Sequence, residues 1–177
     1  MTELLKRLKL IDSFTTTLQT SKVEFVNRLI EITDKGDTRM ISDTFDVFSS
    51  SKNEFKGEVN FEGFKIKRRR KLFDTNMNFA VANGKFFEKN GQLTIDTEIT
   101  GFSNFFIVFY VFLIIFYPIF IFDFFSNDNE EKFNVILFIL FHGTLMFGLP
   151  YFMMRRGIKQ LKYELEREFF YLTKSRE

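Results

Sequence analysis

The chain has 177 residues, a formal net charge of +2 at pH 7, 28 Phe and no Cys. Its length favours one compact unit, or a small domain with an appendage. The lack of Cys excludes a disulfide framework, a thiolate metal site and a Cys nucleophile. Abundant Phe without Trp indicates that apolar residues are concentrated in segments, as in membrane proteins.

The first predicted elements are a strand and a capped helix. Residues 14–20 favour β structure, and Ser21 with Glu24 three positions later forms a capping box. The spacing predicts an amphipathic helix from Ser21 to about Ile32. Its predicted buried face consists of Val23, Val26, Leu29 and Ile30.

A β-hairpin is predicted around Asn90 and Gly91, because this dipeptide suits a type I′ turn with positive φ at both central residues. The turn fixes the register and separates an apolar face from a polar one. The predicted cross-strand pairs are Glu88 with Leu93, Phe86 with Ile95, Lys85 with Asp96, Gly84 with Thr97 and Ala82 with Ile99.

An earlier hairpin is predicted to turn at Glu62 and Gly63. That register pairs Val59 with Ile66 on one face and Glu58 with Lys67 on the other. The resulting fold class is α+β, a small antiparallel β-meander covered by the helix at Ser21, followed by a two-helix transmembrane hairpin and an amphipathic C-terminal helix.

Two uncharged apolar runs, residues 105–122 and 133–154, are each long enough to cross a hydrocarbon core of about 30 Å. Transmembrane spans are therefore predicted at about 102–123 and 133–154. The chain would then consist of a cytoplasmic domain at 1–101, a membrane hairpin at 102–154 and a cytoplasmic helix at 155–177. No cleavable signal peptide is recognised before the first span.

The flanks of the spans predict the orientation. The connection from Asp123 to Lys132 is acidic, whereas Arg155 and Arg156 directly follow the second run. Lys and Arg near the ends of a span stay on the cytoplasmic side. Both termini are therefore expected in the cytoplasm.

A basic stretch, Lys67 to Lys71, precedes the first span. If the strands form a meander, the strand that carries these cations ends at the bilayer, as does the strand that enters the first span. Lipid headgroup contact, with anionic lipid as the expected partner, is predicted for Lys67, Arg68, Arg69, Arg70, Lys71, Arg155 and Arg156. The alternative is that these cations satisfy the positive-inside rule or solvate an edge strand. Nucleic acid is not an expected partner, because the domain is nearly charge-balanced.

The C-terminal segment carries an apolar stripe at helical spacing: Ile158, Leu161, Leu165, Phe169 and Leu172. Such a stripe must be covered, either by the chain's own sheet, by the membrane surface or by a partner helix, including one from a second copy. The stripe is a candidate surface for a protein partner or for self-association.

Catalytic chemistry is not predicted. The single His, His142, lies inside the second apolar run, where an ionisable residue is a functional-site hypothesis. A neutral, hydrogen-bonded structural role is the alternative, because the first run offers no charged partner. No nucleophile–base motif, metal-ligand cluster or cofactor motif is recognised, so no enzyme activity, metal or cofactor is expected.

A loose motif spans the earlier hairpin: Phe55, Gly57, Val59, Phe61, Phe64, Lys65, Ile66 and Arg68. With the hairpin at Asn90 and the two apolar runs, it resembles a group of short, uncharacterised bacterial membrane proteins with two spans. The resemblance implies a multi-pass protein of the bacterial inner membrane and carries no activity over. Two functions are considered, a membrane-anchored interaction module or accessory subunit, and a tethered lipid- or small-ligand-binding domain. The second would require an apolar cavity lined by Phe55, Val59, Phe79, Phe86 and Ile95.

Overall fold

The computed structural model describes residues 2–38, 51–69, 79–126 and 132–174 of the chain. The chain divides into two compact units. The first unit combines Met1–Phe102 with Met154–Glu177, and the second unit is Ser103–Met153. The C-terminal segment, predicted as a third and separate part at 155–177, thus belongs to the same unit as the N-terminal domain.

The first unit is an α+β domain with a six-stranded sheet. Its elements in chain order are α1 (Thr2–Arg7), β1 (Ile11–Leu18), α2 (Lys22–Glu31), β2 (Thr33–Lys35), β3 (Phe55–Val59), β4 (Gly63–Arg68), β5 (Val81–Lys89), β6 (Gln92–Thr100) and the C-terminal part of α4 (Lys132–Lys174). The second unit contains α3 (Asn104–Ser126) and the preceding part of α4.

The sheet has the strand order β1-β6-β5-β4-β3-β2. Strands β3 to β6 form the predicted antiparallel meander, while β1 adds antiparallel to β6 and β2 adds parallel to β3. Because β4 and β6 are both antiparallel to β5, they end at the same side of the sheet, where Lys67, Val81 and Thr100 lie in one row. We name this side the Gly101 pole, after the residue that follows β6 and donates its N–H to the Leu10 carbonyl at 3.1 Å.

The two hairpins differ in how well local sequence predicts them. Asn90 and Gly91 have φ of 54° and 74°, and the predicted β5–β6 register is confirmed at every pair. The β3–β4 register is wrong by two residues, since Val59 pairs with Phe64. The Asn60 side chain accepts the Gly63 N–H at 2.9 Å and moves the turn toward the N-terminus.

The prediction for α2 is correct in its cap and wrong in part of its buried face. The Ser21 hydroxyl accepts the Glu24 N–H at 3.2 Å. Val26 and Leu29 are buried, but Val23 and Ile30 are exposed. The helix is rotated because the larger Phe25 packs into the core.

Four phenylalanines form the centre of the core between the sheet and its helices. The ring centroid of Phe25 lies 5.8 Å from that of Phe86 and 5.3 Å from that of Phe169. Phe169 also lies 5.8 Å from Phe64. The sheet therefore has two covering helices, α2 and the end of α4, where one was predicted.

The second unit consists of two helices that are long and apolar enough to cross a membrane, by length and composition. Pro118 and Pro150 lie inside these helices, as is tolerated in membrane segments. At 1.5 Å per residue, the 23 residues of α3 extend about 35 Å, which exceeds a hydrocarbon core of about 30 Å.

Candidate functional site

The described cations of the basic stretch are engaged within the domain. Lys67 is 1% exposed, Arg68 donates to the Glu164 carboxylate and Arg69 donates to the Asp34 carboxylate. The expectation that β4 and β6 run in the same direction and end at the same side of the sheet is confirmed. Headgroup contact was predicted for these three side chains, but they are buried or paired within the domain. Arg70 and Lys71 lie outside the described residues.

The Arg68–Glu164 pair joins β4 to the C-terminal helix. Glu164 is buried, and the Gln160 side-chain amide donates to the same carboxylate at 3.0 Å. Burial raises the pKa of Glu164, while the hydrogen bond from Gln160 and the charge of Arg68 oppose the rise. The pair thus fixes the helix to the sheet with a charged contact whose acidic member is desolvated.

The Arg69–Asp34 pair joins the end of β4 to the edge strand β2. A side-chain hydrogen bond from Ser51 lowers the pKa of Asp34, partial burial opposes this, and Asn53 and Arg69 lower it further. The Asn53 amide donates to the carboxylate at 2.9 Å. Asp34 is therefore a structural carboxylate that gathers three segments of the chain.

The apolar stripe of the C-terminal helix is covered by the chain's own sheet. Ile158, Leu161, Leu165 and Phe169 are buried members of the core, and Leu172 is packed against it while partly exposed. Assignment of this stripe to a partner helix is therefore corrected, because its members are consumed by intramolecular packing. The periodicity predicted the stripe, but residues that cover it, such as Phe25 and Phe64, lie far away in sequence.

His142 has a hydrogen-bond partner that the sequence analysis missed. The Tyr117 hydroxyl of α3 lies 2.7 Å from His142 Nδ1, and the imidazole stacks on the Phe138 ring with centroids 5.4 Å apart. The Tyr117 ring packs near Gly143, where an added Cβ would lie 3.7 Å from it at an ordinary contact distance. The phenol of Tyr117 carries no charge, but it is one of two hydroxyl groups in the apolar part of α3 that could bind an imidazole.

Among the described residues, the buried side chains on the helix-covered side of the sheet form one hydrophobic core. Of the five residues predicted to line a ligand cavity, Phe55, Phe86 and Ile95 are buried core residues. Val59 and Phe79 are half-buried, and Val59 lines an open cleft near the end of β2. Phe86 is one of the four central phenylalanines, and Phe55 belongs to the same hydrophobic cluster, so both side chains pack against protein groups.

Two open clefts lie elsewhere on the described surface. One of about 720 Å³ follows the helix-free face of β1, β6 and β5 and is lined by polar residues that include Thr15, Asn83, Lys85, Asp96 and Glu98. The Thr15 hydroxyl donates to Asp96 Oδ1 at 2.7 Å. A second cleft of about 890 Å³ lies near the end of β2 and includes Lys35, Asp37, Glu58 and Lys65.

Among the described residues, no group of three or more His, Cys, Asp or Glu side chains has the arrangement of a metal site. Polar groups that do converge include the two ion pairs at the end of β4 and the Tyr117–His142 pair.

Comparisons with known proteins return no match. No family model matches the chain, and no curated protein or solved structure is significantly similar to it.

Proposed function

We propose that this chain is an integral membrane protein whose α+β domain is held at the cytoplasmic face of the bacterial inner membrane and acts as an interaction module or accessory subunit of a larger complex. The observation that carries the proposal is the junction at Gly101. A Cβ added there would lie 2.8 Å from Ile158 Cδ1 and 3.0 Å from the Met154 carbonyl oxygen. The chain therefore leaves the domain and returns to it at adjacent points.

This junction supports a hairpin anchor. A segment that crosses a membrane twice must begin and end on the same side, and a domain built from both flanks of the segment meets that requirement without strain. The two helices have the necessary length and apolar character. The acidic connection and the basic residues Arg155 and Arg156 support a cytoplasmic domain.

The packing of the domain favours an interaction module over the alternative, a tethered lipid- or small-ligand-binding domain. The predicted cavity-lining residues Phe55, Phe86 and Ile95 are buried in the core. Ligand pockets are usually concave and largely apolar, whereas both clefts found on the described surface are open and rich in charged residues.

The surface offered to a partner is the helix-free face of β1, β6 and β5. Asn83, Lys85, Asp96 and Glu98 are exposed there, while the other face is covered by α2 and α4. Mixed charge of this kind suits the polar surface of a non-obligate interface, where charged pairs set specificity and association rate.

The test is photo-crosslinking in living cells with a photoreactive amino acid at Asn83 or Glu98. Val23, exposed on α2, provides the control position away from this face. Discrete adducts are expected from Asn83 and Glu98 and not from Val23, and they should be lost in Asp96→Lys. No adduct from either sheet position, or the same adducts from all three, would contradict the proposal.

A further inference from the structure

The Gly101 pole carries a short helix that is firmly docked at its C-terminal end. The Leu10 N–H donates to the Leu5 carbonyl at 2.8 Å and the Lys9 N–H to the Lys6 carbonyl at 2.9 Å, with Lys9 at φ 55°. This is a Schellman motif, which satisfies the last carbonyls of α1. Leu10 is buried, so the motif fixes α1 to the domain.

The outer side of α1 combines leucines and cations. Leu4 is 58% exposed and Leu8 is 40% exposed. Leu8 is the first residue after α1, and its N–H donates to the Leu4 carbonyl at 2.9 Å, so the two leucines lie one turn apart on the same side. Lys6, Arg7 and Lys9 are exposed beside them. Exposed apolar side chains flanked by cations are typical of helices that lie in a membrane interface.

Helix α1, which carries these leucines and cations, lies near the points where the chain leaves the domain and returns to it. Leu10 accepts the Gly101 N–H at 3.1 Å, and Gly101 lies three residues before α3 begins at Asn104. Three residues span at most about 11 Å. Met154 and Ile158 contact the same glycine, so the chain also returns beside α1.

We propose that α1 is an interfacial anchor, in which Leu4 and Leu8 insert among the lipids of an anionic leaflet and Lys6, Arg7 and Lys9 contact the lipid phosphates. The inference rests on the proposed membrane insertion of the hairpin. We assign the main headgroup contact to α1 rather than to the basic stretch, because Lys67 is buried and Arg68 and Arg69 form ion pairs within the domain.

The test uses the full chain reconstituted in vesicles. Since the chain has no Cys, one introduced thiol reports one position. A bimane fluorophore is attached at Leu4→Cys, at Asn90→Cys in the β5–β6 turn, or at Phe116→Cys in α3, and quenching by brominated phosphatidylcholine is measured with and without phosphatidylglycerol. Anionic vesicles should quench the Leu4 probe at least about twofold more than the Asn90 probe.

A matched variant isolates the cations. Replacing Lys6, Arg7 and Lys9 by Gln should reduce quenching of the Leu4 probe in anionic vesicles to the level in neutral ones. If quenching is the same with either lipid and in the Gln variant, the contact with anionic lipid is overturned.

The Phe116 probe distinguishes failure of this inference from failure of the proposed function. If the Phe116 probe is quenched and the Leu4 probe is no more quenched than the Asn90 probe, the interfacial anchor is refuted while the membrane hairpin stands. If the Phe116 probe is not quenched, the hairpin is outside the bilayer and both proposals fail.

Discussion

Replacement of Phe169 by Ala should destabilise the domain more than any surface change in the same helix. Phe169 is 0% exposed, and its ring centroid lies 5.3 Å from that of Phe25 and 5.8 Å from that of Phe64. Truncation of a buried Phe removes its transfer free energy and leaves a cavity, at a combined cost of about 3–5 kcal/mol. This is a large share of a typical domain stability of about 5–15 kcal/mol.

The assay is amide hydrogen exchange of the full chain in detergent micelles, followed in β4 and α2. A loss of about 3 kcal/mol raises the exchange of amides that open by global unfolding roughly 150-fold. Phe170→Ala is the matched control, because Phe170 is the next residue and is 55% exposed. Its effect should stay within about 0.5 kcal/mol, or roughly twofold in exchange.

Equal exchange in the two variants would refute the reasoning. Phe169 would then contribute no more to the core than an exposed neighbour, and the C-terminal helix would not be part of the domain. The stripe from Ile158 to Leu172 would again be available to a partner helix.

Four further predictions concern the fold. A chain truncated after Gly101 loses the covering helix α4, so it should show no cooperative thermal transition by circular dichroism. Burial raises the pKa of Glu164, so the unfolded carboxyl ionises first, and the wild type should lose stability relative to Glu164→Gln as the pH rises above about 4.3. The Ser51 hydrogen bond lowers the pKa of Asp34, so the advantage of the wild type over Asp34→Asn should be complete above about pH 4 and disappear as the pH falls through the lowered pKa, both measured by thermal melting. Tyr117→Phe removes a hydrogen bond between α3 and α4 and should lower hairpin stability in micelles by about 0.6 kcal/mol.

Each of these has a clear contrary result. A cooperatively melting fragment of residues 1–101 would show that α4 is dispensable. Melting curves whose differences do not change with pH would show that Glu164 and Asp34 titrate alike in the folded and unfolded chain. A Tyr117→Phe variant as stable as the wild type would leave the hydrogen bond to His142 without a structural role.

Local signals in this chain predict local structure. The register of β5 and β6 follows from Asn90 and Gly91, because both residues accept the positive φ that the turn needs. The cap of α2 follows from Ser21, because its hydrogen-bond partner, the Glu24 N–H, is only three residues away. The predicted register of β3 and β4 was wrong, because the Asn60 side chain accepts the Glu62 and Gly63 N–H groups and so changes the position of the turn.

Local sequence patterns could not predict ion pairs between residues that are distant in sequence. Nothing near Arg68 indicates Glu164, which is 96 positions away, and nothing near Arg69 indicates Asp34. The local density of cations predicted lipid contact, although Arg68 and Arg69 pair with carboxylates within the domain. The apolar stripe of α4 was recognised by its period, but periodicity cannot say which surface covers it.

The central claim is that both flanks of the apolar hairpin lie with the domain on the cytoplasmic side. The most direct measurement is labelling of single introduced thiols in intact cells with a membrane-impermeant reagent, in a chain that has no Cys of its own. We predict that Asn127→Cys, in the connection between the apolar runs, reacts from outside, and that Asn90→Cys and Ser175→Cys react only after the cells are permeabilised. Labelling of Asn90→Cys in intact cells, or protection of Asn127→Cys, would contradict the claim.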